Sequence, residues 1–294
     1  MRGSAKPSGS TREPLAAKVP EITALFWVVK ILTTGMGEAT SDFLSNGSLP
    51  VAGAVGLGGF CLALGLQFRV RRYHAAVYWL AAVAVAVFGT MAADGLHVGL
   101  GLPYYATSTL YAVFLTVVLV AWYRSEGTLS IHSITTRRRE VYYWCTVLAT
   151  FALGTALGDF AAATLHMGFL AAGVVFAVLI AVPLLAWWKF GMNAILAFWF
   201  AYVVTRPLGA SFADYLGKPH SLDGLGFGDG TVAAAASVVI VALVGYAVVT
   251  RSDIQRPAAA EPVPVGDQAG VGHGRVHDDE SRQYLTANGP GGTS

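Results

Sequence analysis

Four aspartates recur at one fixed spacing inside strongly apolar stretches of this 294-residue chain. Each follows a tryptophan and a glycine in the pattern W-x9-G-x4-D. A carboxylate in such a stretch is energetically costly, so four at equivalent positions indicate one shared role in a repeated unit. The aspartates are Asp42, Asp94, Asp159 and Asp214, the tryptophans Trp27, Trp79, Trp144 and Trp199, and the glycines Gly37, Gly89, Gly154 and Gly209.

The repeated aspartates are candidates for an ion or proton site. If the four repeats surround a common centre, their carboxylates lie at one depth, where they cannot all stay ionised without a cation or shared protons. The alternative is structural, because each aspartate could instead cap the turn or helix that follows it.

Three other ionisable residues lie near the aspartates in the sequence. Glu38 is on the same helical face as Asp42, His97 follows Asp94, and His166 follows Asp159. Carboxylates with imidazoles suit divalent metals such as manganese, iron, cobalt, nickel or zinc, and they equally suit a proton relay. We therefore include these three residues in the predicted ion or proton site.

Two basic residues interrupt the apolar stretches. Lys30 is close to Trp27 and could extend its ammonium to the membrane interface, and with Arg206 it is a candidate for gating or for an ion pair. Arg206 is deeper and precedes Pro207, which removes a helical hydrogen bond. We expect Arg206 to form an ion pair with Glu38 or another acid across the bundle, or to act at a gate.

The composition indicates an integral membrane protein. The chain is 55% hydrophobic and 12% charged, against roughly 25% charged residues in soluble domains. Several charge-free windows reach the length of about 20 residues that a spanning helix needs. The predicted fold is an all-α bundle of eight transmembrane helices at 22–43, 51–68, 76–95, 105–123, 142–162, 168–188, 193–215 and 230–250.

The eight predicted spans form four parallel two-helix repeats, at 22–68, 76–123, 142–188 and 193–250. Basic residues cluster at one end of the spans, whereas the other end holds only Lys218. The positive-inside rule then places both termini in the cytoplasm. Polar tails are predicted at 1–20 and 252–294, the second disordered, around a membrane domain at 21–251.

The order of residues along each odd-numbered span suggests three structural roles. The tryptophan is expected to mark the cytoplasmic interface. The glycine is expected to permit a close approach between helices. At about 1.5 Å per residue, the aspartate then lies in the outer part of the membrane.

Two segments carry a resemblance to a known family: Thr205–Asp214 and Phe88–Asp94. They resemble a bacterial family of integral membrane proteins built from four tandem two-helix repeats of unknown function. The resemblance covers roughly Phe26–Val249. It implies the repeat fold and a location in the bacterial cytoplasmic membrane, but no substrate.

The leading functional hypothesis is a transporter or channel for a small cation, such as a divalent metal, coupled to protons or to the membrane potential. Two alternatives stay open: a sensor or scaffold whose aspartates are structural caps, and a membrane-embedded enzyme acting on a lipid or quinone. No nucleotide or hydrolase motif favours an enzyme, and no basic patch indicates nucleic acid. The expected partners are the lipid bilayer and a cation or proton, and a divalent metal enters only as substrate.

Overall fold

The computed structural model describes residues 17–255, which form an all-α bundle without β-strands in that part of the chain. This confirms the predicted fold class. The eight α-helices are Ala24–Ser45 (α1), Leu49–Arg69 (α2), Ala75–Asp94 (α3), Tyr104–Glu126 (α4), Arg137–Asp159 (α5), Phe169–Phe190 (α6), Ala194–Gly217 (α7) and Asp229–Thr250 (α8).

Seven of these helices, α2 to α8, are long and apolar enough to cross a membrane. The remaining helix, α1, contains Lys30, Glu38 and Asp42, which lower its apolar character. The described part of the chain is therefore a multi-pass membrane protein.

The odd-numbered helices form a closed inner ring in which α1 packs on α3, α3 on α5, α5 on α7, and α7 on α1. The even-numbered helices surround this ring. Each lies mainly against the odd helix of the next repeat: α2 on α3, α4 on α5, α6 on α7, and α8 back on α1. The most apolar windows of α3, α5 and α7 are 56–72% buried, whereas those of the even helices are 17–22% buried. The even helices therefore present most of their surface to lipid.

Local signals explain where several helices begin and end. The side-chain oxygens of Thr23, Thr136 and Asn193 accept hydrogen bonds from backbone N–H groups in the first turns of α1, α5 and α7. Gly127 and Gly191 adopt positive φ angles directly after α4 and α6, a conformation that glycine accepts at little cost. Because Thr136 caps α5, that helix starts at Arg137, before the predicted start at residue 142.

The described parts of the predicted tails are packed against the bundle. Val19 is 2% exposed, and its neighbour Lys18 forms a 2.6 Å ion pair with the buried Glu140 of α5. The backbone N–H of Glu21 donates to the carbonyl of Asp253 at 2.8 Å. Residues 17–20 and 252–255 therefore belong to the folded unit, because they satisfy polar groups there. The predicted tails at 1–16 and 256–294 lie outside the described residues.

Candidate functional site

The inner ring has a tryptophan end, where the odd helices begin, and an aspartate end, where they finish. At the tryptophan end, the residue before each repeated tryptophan contacts the tryptophan of the next repeat. The pairs, with the distances between ring centroids, are Phe26–Trp79 at 5.8 Å, Tyr78–Trp144 at 5.5 Å, Tyr143–Trp199 at 6.3 Å and Phe198–Trp27 at 5.7 Å. The last pair joins the fourth repeat to the first, so the aromatic contacts close around the ring.

Three of the repeated tryptophans are buried in the core of the bundle, at the end where the odd helices begin. Trp79, Trp144 and Trp199 are each at most 5% exposed, whereas Trp27 is partly exposed. Packing between adjacent odd helices removes these large rings from the surface of the bundle.

The repeated glycines lie where adjacent odd helices approach most closely. A Cβ atom at Gly37 would collide with Ala86, and one at Gly89 would collide with Phe151. The same rule continues around the ring, since Gly154 faces Arg206 and Gly209 faces Thr34. In every case the partner is the residue seven positions after the tryptophan of the next repeat. The glycine spacing therefore sets the helix–helix contact of all four repeats.

The centre of the ring holds a fully buried ion pair between Arg206 of α7 and Glu38 of α1. Arg206 is 0% exposed, and its Nη2 lies 2.5 Å from Oε2 of Glu38. The same Nη2 donates to the hydroxyl of Thr155 at 2.7 Å and contacts the hydroxyl of Thr90. Its Nη1 donates to the carbonyl oxygen of Thr34 at 3.2 Å. We call these four oxygens around the guanidinium the inner cage.

Three members of the inner cage occupy one equivalent position in the repeats. Glu38, Thr90 and Thr155 each directly follow the repeated glycine, and the fourth repeat has Ala210 there. Arg206, one helical turn before Ala210, fills the space that the small residue leaves. An alignment of the four repeats shows that the position directly after the glycine is polar in three of them. The aspartates alone do not reveal this position.

Lys30 lies one turn of α1 away from Thr34 and does not extend to an interface. It is 1% exposed, and its Nζ lies 4.2 Å from the ring centroids of both Phe151 and Tyr202. No hydrogen-bond acceptor reaches this nitrogen within the described residues. The expected snorkelling is therefore wrong, because neighbouring odd helices enclose the side chain and present aromatic rings to its amino group.

The aspartate end brings three carboxyl groups together: Glu38, Asp42 and Asp214. One oxygen from each lies within 4.8 Å of the others. We call these three groups the carboxylate cluster. Lys218, just beyond α7, places its Nζ 2.5 Å from Asp42 and 4.0 Å from Asp214. The three acids were predicted as site residues from the sequence, but Lys218 was not. Its signal in the sequence is that it is the one basic residue predicted at this end of the spans.

Lys218 also faces Asp229, whose Oδ2 is 3.5 Å from its Nζ. Burial opposes the charge of Lys218, but the carboxylates of Asp42, Asp214 and Asp229 outweigh burial and raise the pKa of its ammonium group. The lysine is therefore a tethered cation held by acids from three helices.

Asp94 and Asp159 lie outside the carboxylate cluster and are partly buried. Each ends an α-helix that continues as a π-helical turn, Gly95–Gly99 after α3 and Phe160–Thr164 after α5. Neither side chain caps its π-helical turn. The two aspartates interact electrostatically with Glu38 and Asp42. They therefore lie beside the cluster without direct participation in it.

The two predicted histidines are placed elsewhere. His97 stacks on Tyr104 with 3.7 Å between ring centroids, and its Nδ1 is 2.7 Å from the carbonyl oxygen of Leu102. His166 is exposed, with a φ of 53° in the connection before α6. Neither belongs to the group of potential metal ligands found among the described residues. The reason is that both follow the π-helical turns or lie within them, which changes the helical face assumed from sequence spacing.

Two buried hydroxyls near the carboxylate cluster lack a hydrogen-bond partner within the described residues. Ser41 lies between Glu38 and Asp42 in α1, and Ser211 lies one turn before Asp214 in α7. They are 0% and 2% exposed. Buried hydroxyls are normally satisfied, so a water or a cation bound in this part of the bundle could supply their missing partner.

The arrangement can attract and hold a cation at the aspartate end. Six carboxyl groups interact there with two basic side chains, so acid exceeds base. Protons or an additional cation must balance the surplus. The acids are Glu38, Asp42, Asp94, Asp159, Asp214 and Asp229, and the basic residues are Arg206 and Lys218.

A family model for the Repeat of Unknown Function DUF347 matches the chain four times, at residues 25–73, 77–128, 142–192 and 197–253. The chain belongs to this family. Each match covers one repeat and starts close to its tryptophan, in agreement with the predicted tandem repeats. No curated protein and no solved structure matches the chain significantly.

Proposed function

We propose that this protein is a proton-coupled carrier for a small divalent cation in the bacterial cytoplasmic membrane. The aspartate end faces outward and the tryptophan end faces the cytoplasm, because basic residues concentrate in the connections at the tryptophan end. The carboxylate cluster is the loading site for the cation.

The observation that carries this proposal is the surplus of acid at the aspartate end. Three carboxyl oxygens, from Glu38, Asp42 and Asp214, lie within 4.8 Å of one another. Such groups share protons when no cation is present. A cation that binds releases those protons, and this exchange couples the two fluxes. Hard oxygen ligands favour Mn²⁺, Mg²⁺ or Ca²⁺ over softer metals.

A carrier fits the buried centre of the ring better than an open channel does. Arg206 and Lys30 are fully buried at successive levels between the carboxylate cluster and the aromatic contacts. A cation that leaves the cluster for the cytoplasm must pass the guanidinium of Arg206, the buried side chain of Lys30 and a packed aromatic layer. Passage therefore requires the odd helices to rearrange, as alternating access does.

Flux measurements test the proposal. We expect purified protein in proteoliposomes to take up Mn²⁺ and to move protons in the opposite direction, both followed with fluorescent indicators. Asp42→Asn and Asp214→Asn should each lower Mn²⁺ uptake at least about tenfold, because each removes a charged ligand. Asp223→Asn is the matched control. Asp223 is exposed in the connection between α7 and α8 and lies outside the carboxylate cluster.

The same variants separate the carrier from a scaffold with structural aspartates. A scaffold predicts that Asp42→Asn and Asp214→Asn lower the melting temperature and yield. Unchanged ion flux per folded molecule in both variants would refute the carrier.

A further inference from the structure

The hydrogen bonding of Arg206 fits its guanidinium poorly. Nη2 carries two hydrogens but faces three oxygens, those of Glu38, Thr90 and Thr155. Nε carries one hydrogen and has no partner among the described residues, although Arg206 is 0% exposed. A planar guanidinium is best held by a pair of acceptors along its fork. Here the oxygens instead converge on one point.

The converging oxygens are of the types that coordinate hard cations. They comprise the carboxylate of Glu38, the hydroxyls of Thr90 and Thr155 and, at 3.2 Å from Nη1, the backbone carbonyl of Thr34. Hydroxyl, carbonyl and carboxylate oxygens bind alkali and alkaline-earth cations, whereas the imidazole and thiolate ligands of softer metals are missing from this set. The inner cage can therefore hold a metal cation where it now holds Nη2.

The charge of the inner cage specifies the valence of that cation. Glu38 is the one acid among its ligands, and it balances the single positive charge of Arg206. A monovalent cation preserves this balance when Arg206 moves away, whereas a divalent cation leaves an excess positive charge in a buried site next to Lys30. Lys30 already has no counter-ion within hydrogen-bond reach in the described residues.

We propose that the inner cage is a second ion site, selective for a monovalent alkali cation, and that Arg206 fills it when the ion is absent. Glu38 connects this site to the carboxylate cluster, because its carboxyl group belongs to both. The inference deepens the proposed carrier by assigning it a coupling ion in addition to its divalent substrate. Arg206 then acts as a tethered substitute that keeps the empty site electrically balanced.

Arg206→Met tests the inner cage by removing the guanidinium while keeping most of the side-chain volume. The melting temperature of the full-length variant is measured in detergent with NaCl, KCl or choline chloride at equal ionic strength. We expect Na⁺ or K⁺, but not choline, to raise it in a saturable manner. Wild-type protein, whose cage is filled, should respond much less, and Arg206→Lys should behave like the wild type.

The double variant Arg206→Met with Glu38→Gln is the matched control, because it removes the carboxylate ligand and should lose the alkali-ion response. Equal melting of Arg206→Met in all three salts overturns the proposal. Persistence of the response in the double variant also overturns it, because the ion would then bind elsewhere.

Binding of radioactive Na⁺ to the full-length protein provides a measurement that does not depend on the folding of Arg206→Met. We expect saturable binding that weakens about tenfold in Thr90→Ala and in Thr155→Ala, because each loses one oxygen ligand. Thr116→Ala is the control, since Thr116 is an exposed threonine of α4. Absence of saturable binding, or equal binding by all three variants, overturns the proposal.

These assays are independent of Mn²⁺ flux. A carrier that moves Mn²⁺ but shows no alkali-ion response retains the proposed function and loses the inner site. Alkali-ion binding without Mn²⁺ flux retains the inner site and removes the proposed substrate.

Discussion

The tryptophan end and the aspartate end of the inner ring differ in how closely the four repeats resemble one another. At the tryptophan end every repeat makes the same contact with the next, and the aromatic pairs close around all four odd helices. At the aspartate end the repeats differ: one contributes Glu38, and another contributes Arg206 and Lys218. The repeated residues there are the aspartates, yet only Asp42 and Asp214 join the carboxylate cluster.

The comparison separates the residues that build the ring from those that make the site. Residues present in every repeat set the packing between helices. They are the glycine, the tryptophan and the aromatic residue before it. Residues present in one repeat, such as Glu38 and Arg206, create the charge distribution. A fold from four similar units thus acquires a specific chemistry where the units cease to be equivalent.

The largest expected effect on stability concerns the buried ion pair between Arg206 and Glu38. Glu38→Gln leaves Arg206 charged in a site that is 0% exposed, and we expect it to lower the free energy of unfolding by about 3 kcal/mol. Adding Arg206→Met should recover most of that loss, because neither charge is then left alone. Reversible unfolding in mixed detergent micelles measures the double-mutant cycle, and additive losses would show that the pair is not coupled.

The repeated glycines offer a test of intermediate size. Gly37→Ala places a Cβ against Ala86 across the contact between α1 and α3, and we expect a loss of about 2 kcal/mol from overpacking. Gly65→Ala in α2 is the matched control, since nothing lies near its added Cβ. Thermal melting of the two variants measures the difference. Equal stability would mean that the repeated glycines do not set the helix spacing.

The smallest expected effect concerns Lys218 and its dependence on pH. Lys218→Met should lower stability by about 1 kcal/mol at neutral pH, because Lys218 holds acids from three helices. Its folded-state pKa is raised, so this contribution is fully present below the unfolded value of about 10.4 and is lost as pH rises through the folded value.

Melting temperatures of wild type and Lys218→Met, compared from neutral to strongly alkaline pH, test this sign. The difference should stay constant to about pH 10 and then shrink. A difference that grows with alkaline pH would contradict the ion pairing of Lys218.

The sequence allowed the long helices and the tandem repeats to be predicted, because apolar length and the W-x9-G-x4-D spacing are properties of the chain itself. The pairing of each even helix with the next odd helix was not predicted, since it depends on packing between repeats. Asp94 and Asp159 illustrate the limit at the site. Their spacing matches that of Asp42 and Asp214, yet π-helical turns follow them, and these turns are not evident from the apolar pattern.

The inner cage was only partly predictable. Pairing of Arg206 with Glu38 was expected, because a buried cation requires an anion. Thr90 and Thr155 were missed because a threonine in an apolar helix usually bonds to its own backbone, as both also do here. Lys30 was misplaced because its closeness to Trp27 suggested an interface, whereas the tryptophans themselves are mostly enclosed.

Because the aromatic contacts close around the inner ring, the packing of the repeats does not depend on which repeat comes first in the chain. Phe198 meets Trp27 in the same way as Phe26 meets Trp79, and Glu21 is hydrogen-bonded to Asp253 at the same end of the molecule. No repeat is structurally first. A circularly permuted polypeptide that starts at Arg137, with Gln255 linked to Ala17, would rebuild every interface. Four separate copies of one two-helix repeat could therefore pack into a ring of the same kind, as the subunits of a symmetric homotetramer do.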